Sequence, residues 1–77
     1  MKTIKTQGRH VLFGQFIREA REQKGLSQIE ASEGLGLSQS YYSYLERGER
    51  DMDLDLAFDI CEFYGIEMNY FIENYLK

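Results

Sequence analysis

The side chains with the strongest intrinsic chemistry are scarce in this chain. Of 77 residues one is histidine, His10, and one is cysteine, Cys61. No Ser/His/Asp set, Cys/His pair or Cys/His zinc site can be assembled from that stock, and no glycine-rich loop of the phosphate-cradling type is present. One cysteine also excludes an internal disulfide. An enzyme, a metal centre and a bound cofactor are therefore not expected. Cys61 reads as a core thiol, and His10 has no partner that would make it a ligand or a base. Recognition through hydrogen bonds and charge is what remains, and the informative stretch for it is 38–50. There Gln39, Ser40, Ser43 and Tyr44 alternate with Tyr42 and Leu45 and lead into Arg47 and Arg50.

Such side chains need a scaffold, and the composition supplies one. Apolar residues make up 43 % of the chain, aromatics 14 % and charged residues 29 %, the balance of a folded domain and not of a disordered segment. The length allows one core and not two. No apolar run reaches the ~18–20 residues that span a bilayer, and residues 1–9 are not followed by an apolar segment of signal-peptide type, so a cytoplasmic location is expected. The net charge of −4 is unevenly distributed. Residues 1–25 hold six basic and two acidic side chains, residues 26–50 two and four, and residues 51–77 one and seven. A chain polarised in this way can turn its basic end toward a polyanion without being basic overall.

Proline is absent, so glycines and capping residues mark the elements. Residues 1–10 read as a basic arm in which Lys2, Lys5 and Arg9 either reach a polyanion or only aid solubility. Residues 11–77 read as the folded domain. Phe13, Phe16, Ile17 and Ala20 have helical spacing, with Lys24 and Gly25 ending a first helix near 24. Ser27 and Glu30 form the S-x-x-E capping box of a second helix that runs to Glu33 or Gly34. Ser38 caps a third helix through Arg47, and Asp53 caps a fourth whose Leu54, Ala57, Ile60, Cys61 and Tyr64 share one face. Met68, Phe71, Ile72, Tyr75 and Leu76 belong to a fifth. Nothing alternates as a strand does, so the fold class is all-α, a compact five-helix bundle.

Two short helices joined by a glycine turn, the second serine-capped and polar on one face, have helix-turn-helix geometry. Leu26-Ser27-Gln28, Ala31, Glu33, Leu35-Gly36-Leu37-Ser38, Ser40, Ser43, Leu45-Glu46-Arg47-Gly48 and Arg50 resemble the Cro/C1-type helix-turn-helix family of phage repressors and XRE-like regulators over roughly residues 11–72. That resemblance implies the lambda-repressor-like DNA-binding bundle. It further implies a sequence-specific transcriptional regulator, a repressor, that binds double-stranded DNA at a palindromic operator as a homodimer.

By the same resemblance Gln39, Ser40, Ser43 and Tyr44 read bases, and a glutamine amide can pair bidentately with adenine. Gln28, Ser38, Arg47 and Arg50 hold phosphate, while Arg21 and Glu46 form a structural ion pair. For either arginine at 47 or 50 the alternative is solvent or an intrachain pair with Asp51 or Asp53. Tyr41 either touches DNA or covers the bundle. Tyr42 takes a core position with its hydroxyl reaching out. Ala31 and Ser32 fill less volume than the family's usual residues, with tyrosines available to make up the difference, and Gly34 interrupts helix two. Tyr44 and Glu49 stand where relatives often carry lysine or arginine, so phosphate affinity should be modest. The apolar excess of Ile72, Tyr75 and Leu76 is expected at the dimer interface. The acidic residues of 51–77 either face away from DNA or dock a basic protein partner, which leaves open a second function, a protein-interaction module such as an antitoxin or anti-repressor. No small-molecule ligand is implied.

Overall fold

A computed structural model describes residues 8–76 as five helices. They are α1 (Arg9–Gln23), α2 (Gln28–Leu35), α3 (Gln39–Arg47), α4 (Leu54–Tyr64) and α5 (Met68–Tyr75). The caps behave as their residue types dictate. Ser27 Oγ accepts from the Glu30 N–H at 3.0 Å while Glu30 Oε1 accepts from the Ser27 N–H at 2.9 Å. Ser38 Oγ accepts from Tyr41 N–H at 3.1 Å, and Asp53 Oδ1 from Leu56 N–H at 2.8 Å. The turn between α2 and α3 pivots on Gly36 at φ +73°, a backbone setting that a side chain would strain.

Two expected boundaries shift. Helix α1 begins at Arg9, so Arg9 and His10 are helical and do not belong to the arm placed at 1–10. The Gly8 carbonyl accepts from Val11 and Leu12 at 3.1 and 3.3 Å, and His10 Nδ1 lies 3.5 Å from Asp51 Oδ1 across the fold. Lys2 and Lys5 of that arm lie outside the described residues. Helix α2 continues through Gly34 to Leu35.

The core gathers Phe13, Phe16, Ile17 and Ala20 of α1, Ala31 of α2, Tyr42 and Leu45 of α3, Ala57, Ile60, Cys61 and Tyr64 of α4, and Phe71 of α5. Burial pushes the Cys61 thiol up, keeping it protonated. Tyr42 departs from expectation: its hydroxyl does not reach out but shares a hydrogen bond with the Tyr64 hydroxyl inside the core. Burial first, then that partner, raises the Tyr42 hydroxyl far above its ordinary range. Two of the small residues of α2 have specific contacts. Ser32 donates to the Ile29 carbonyl at 2.9 Å, and Phe63 of α4 lies against Gly34, where a Cβ would come within 2.5 Å of the ring. Among the described residues no helix is long and apolar enough to cross a membrane.

Helices α1 and α3 cross at Gly14. A Cβ there would lie 2.5 Å from the Leu45 carbonyl oxygen and 2.6 Å from that of Glu46. Both are backbone atoms and cannot swing aside. Gly14→Ala should therefore destabilise the protein by about 1–3 kcal/mol, as overpacking does, even though alanine is about 1 kcal/mol the better helix former. Urea unfolding checks this, and a stabilised variant would show that α1 and α3 can separate freely.

Candidate nucleic-acid interface

The face of α3 that turns from the core carries Gln39, Ser40, Ser43, Tyr44 and Arg47, and with Gln28 of α2 these line one shallow depression of about 330 Å³. Helical period explains the grouping: Tyr42, Leu45 and Glu46 of the same helix are buried. Gln39 and Ser40 are exposed, Ser43 and Tyr44 half-buried. Ser38 spends its hydroxyl on the helix cap. Tyr41 is half-buried and packs against the core.

Beneath this face lies a charged joint. Arg21 of α1 donates from Nε to Glu46 Oε2 at 2.6 Å and from Nη2 to Oε1 at 3.2 Å, while its Nη1 donates to the Leu26 carbonyl at 2.8 Å. Gln28 Nε2 donates to Glu46 Oε1 at 2.9 Å. One carboxylate thus joins α1, α2 and α3. Its side chain is only 2 % exposed and that of Arg21 13 %. Burial by itself would push the Glu46 carboxyl up, but donation from Arg21 and Gln28 outweighs it and holds the group below its usual range. Arg21 is correspondingly raised, chiefly by its bond to Glu46.

The two arginines that close α3 differ. Arg47 is forked onto Glu49 at 3.1 and 3.1 Å, not onto Asp51 or Asp53, and also donates to Ser43 Oγ at 2.6 Å. Arg50 has no carboxylate partner among the described residues and lies 5.4 Å from the centroid of the Tyr44 ring. The Glu49 contact was invisible in the sequence, because residues two apart in a continuous helix do not face each other. The acidic Asp53, Asp55, Asp59, Glu62, Glu67 and Glu73 are exposed on α4, α5 and their caps, outside the depression.

Residues 17–71 match the helix-turn-helix family. This chain belongs to that family. As a helix-turn-helix protein, with α2 and α3 as the paired helices, it is 32 % identical over 59 residues to the HTH-type transcriptional regulator ImmR of Bacillus subtilis (strain 168), an overlap of 77 % of this chain and 46 % of ImmR. The chain spans about half the length of that relative. It is 37 % identical to the restriction-modification controller protein C.AhdI from Aeromonas hydrophila, with a TM-score of 0.73 over 80 % of this chain and 94 % of the other. The clp gene regulator ClgR from C. glutamicum shares the fold at a TM-score of 0.83 and 24 % identity, covering 92 % and 91 % of the two chains. The Cro/C1-type resemblance and the all-α five-helix architecture are thereby established.

The joint makes stability depend on acid. Because the folded Glu46 carboxyl titrates below the unfolded one at roughly 4.3, the unfolded chain binds more protons between the two values. The stabilisation is complete above that unfolded value and disappears as pH falls through the folded one. Glu46→Gln should lose roughly 2–4 kcal/mol at pH 7, since it leaves the Arg21 charge unpaired. The gap to the parent protein should narrow below about pH 4. Denaturant unfolding across pH 3–7 measures it, and a pH-independent gap would remove the charge from the explanation.

Proposed function

We propose that this helix-turn-helix protein is a sequence-specific DNA-binding transcriptional regulator whose α3 reads base edges. The observation that carries the reading is the division of α3. Its inner side is tied to α1, α2 and α4, while Gln39 and Ser40 are exposed and spend no side-chain hydrogen bond within the protein among the described residues. A rigid helix with an amide at its first turn suits a major groove. Gln28 and Ser38 stand at the starts of α2 and α3, where backbone N–H groups favour phosphate, and Arg50 adds a cation that has no carboxylate partner among the described residues. The names of ImmR and C.AhdI, a transcriptional regulator and a controller protein, support the same role. Such a regulator acts in the cytoplasm, where prokaryotic DNA lies.

The regulator works as a homodimer that represses by occupying a pseudo-palindromic operator. An apolar groove of about 550 Å³ between the start of α1, α4 and α5 is lined by Met52, Leu54, Met68, Ile72 and Leu76 among others. Leu54 and Ile72 remain 66 % and 39 % exposed, and surface of this kind on a small domain marks an interaction site. Tyr75 is not among the residues lining this groove and is half-buried. It stacks on Phe71, meets Phe16 edge-on and donates to Glu19 within its own chain, and burial first, then Glu19, pushes its hydroxyl up to about 12.

Selection from random duplexes followed by binding titration tests the reading. A single enriched motif with half-sites about 34 Å apart is expected. On that duplex Gln39→Ala should cost ~1–3 kcal/mol while binding to random DNA is little changed. An equal loss on both would remove base reading from Gln39. Sedimentation at micromolar concentration should give a dimer that Ile72→Asp dissociates. A parent protein that stays monomeric would overturn the dimer, and no enriched motif at all would turn the function toward a protein partner.

A further inference from the structure

The Arg47–Glu49 contact exists because α3 stops between them. Gly48 takes φ +71°, its N–H bonds to the Leu45 carbonyl at 3.2 Å, and the Glu49 N–H bonds to the Tyr44 carbonyl at 2.9 Å. A left-handed residue closing a helix reverses the chain direction, which lays Glu49 back over the last turn. Both its oxygens then accept from Nε and Nη2 of Arg47. The remaining arm of the guanidinium is spent on Ser43, and its carbon stands 5.0 Å from the Tyr44 ring centroid. Arg47 is thus held from three sides on the face that also presents Gln39 and Ser40.

A carboxylate and a phosphodiester offer the same pair of acceptor oxygens, and the arginine fork accommodates either. Here the fork is filled by the protein's own carboxylate, yet both side chains are about half exposed, 50 % and 53 %, so a phosphate can reach them. Resting on the DNA-binding reading above, we propose that Glu49 occupies in the free protein the Arg47 fork that a DNA phosphate takes in the complex, so that Glu49 sets the affinity of this interface by competing for Arg47. Arg50 is the cation ready at first encounter. Arg47 becomes a contact only by exchanging one anion for another. The pair is mutually reinforcing before DNA arrives: the guanidinium holds the Glu49 carboxyl low, and the carboxylate holds the Arg47 guanidinium high.

Four proteins decide it: parent, Glu49→Gln, Arg47→Ala and the double variant, titrated with the selected duplex at one salt concentration. Thermal melts should show all four folded, because both positions are exposed. Glu49→Gln should tighten binding about two- to fivefold, what release of an exposed ion pair is worth. In the Arg47→Ala background the same substitution should change nothing. An equal gain in both backgrounds would mean general repulsion of DNA by the carboxylate, and no gain in either would mean that the fork stays closed in the complex. Each overturns the inference while leaving DNA binding intact. A parent protein that binds no duplex overturns the DNA-binding reading, and this inference with it.

Discussion

The Glu46 carboxylate is the point on which the arrangement of α1, α2 and α3 turns. Isolated in a nearly dry position it would be strongly unfavourable, and Arg21 and Gln28 together satisfy it. That requirement fixes more than energy. Arg21 also reaches the Leu26 carbonyl, which anchors the loop leading into α2. The start of α2 and the last turn of α3 are thus located by one group. A purely apolar contact would bury the same helices but tolerate sliding, whereas a forked ion pair accepts a narrow range of angles.

A second polar pair, Tyr42 with Tyr64, extends this order to α4. Both hydroxyls are deep in the core, and each is affordable there only because the other is present. Tyr42 and Glu46 lie one turn apart on the buried side of α3. The polar groups therefore run from α4 through α3 to α1 and α2 inside a core otherwise made of Phe, Ile, Leu, Ala and Cys61. Every buried side-chain nitrogen and oxygen among the described residues is satisfied.

What was legible in the sequence follows from how local each interaction is. The capping box at Ser27 and Glu30 and the caps at Ser38 and Asp53 involve neighbours three residues apart, so they could be read directly. The apolar faces of α1 and α4 followed from helical period. Features that depend on distant partners were not readable. The early start of α1 uses the Gly8 carbonyl, the glycine at 34 accommodates Phe63, and Tyr75 meets Phe16 and Glu19 of α1. Glu49 is the instructive case: its partner is only two residues away, but a single positive φ at Gly48 decides whether the two can meet.

The same periodicity explains how one small domain can hold its shape while the exposed face of one helix varies. Along α3 successive residues rotate by about 100°, so Tyr42, Leu45 and Glu46 fall on the inner side and Gln39, Ser40 and Ser43 on the outer. The inner set is bound by close approach at Gly14, by the Arg21 fork and by Tyr64. None of these contacts uses an outer side chain. Exchanging Gln39 or Ser40 therefore removes no buried contact and leaves no polar group orphaned, and surface changes of that kind typically stay within ~0.5 kcal/mol. Arg47 is different, because it is tied to Ser43 and Glu49. A change there alters both the exposed charge and the internal anion that holds it, so the exposed face and the internal structure meet at the end of the helix and are separate along the rest of it.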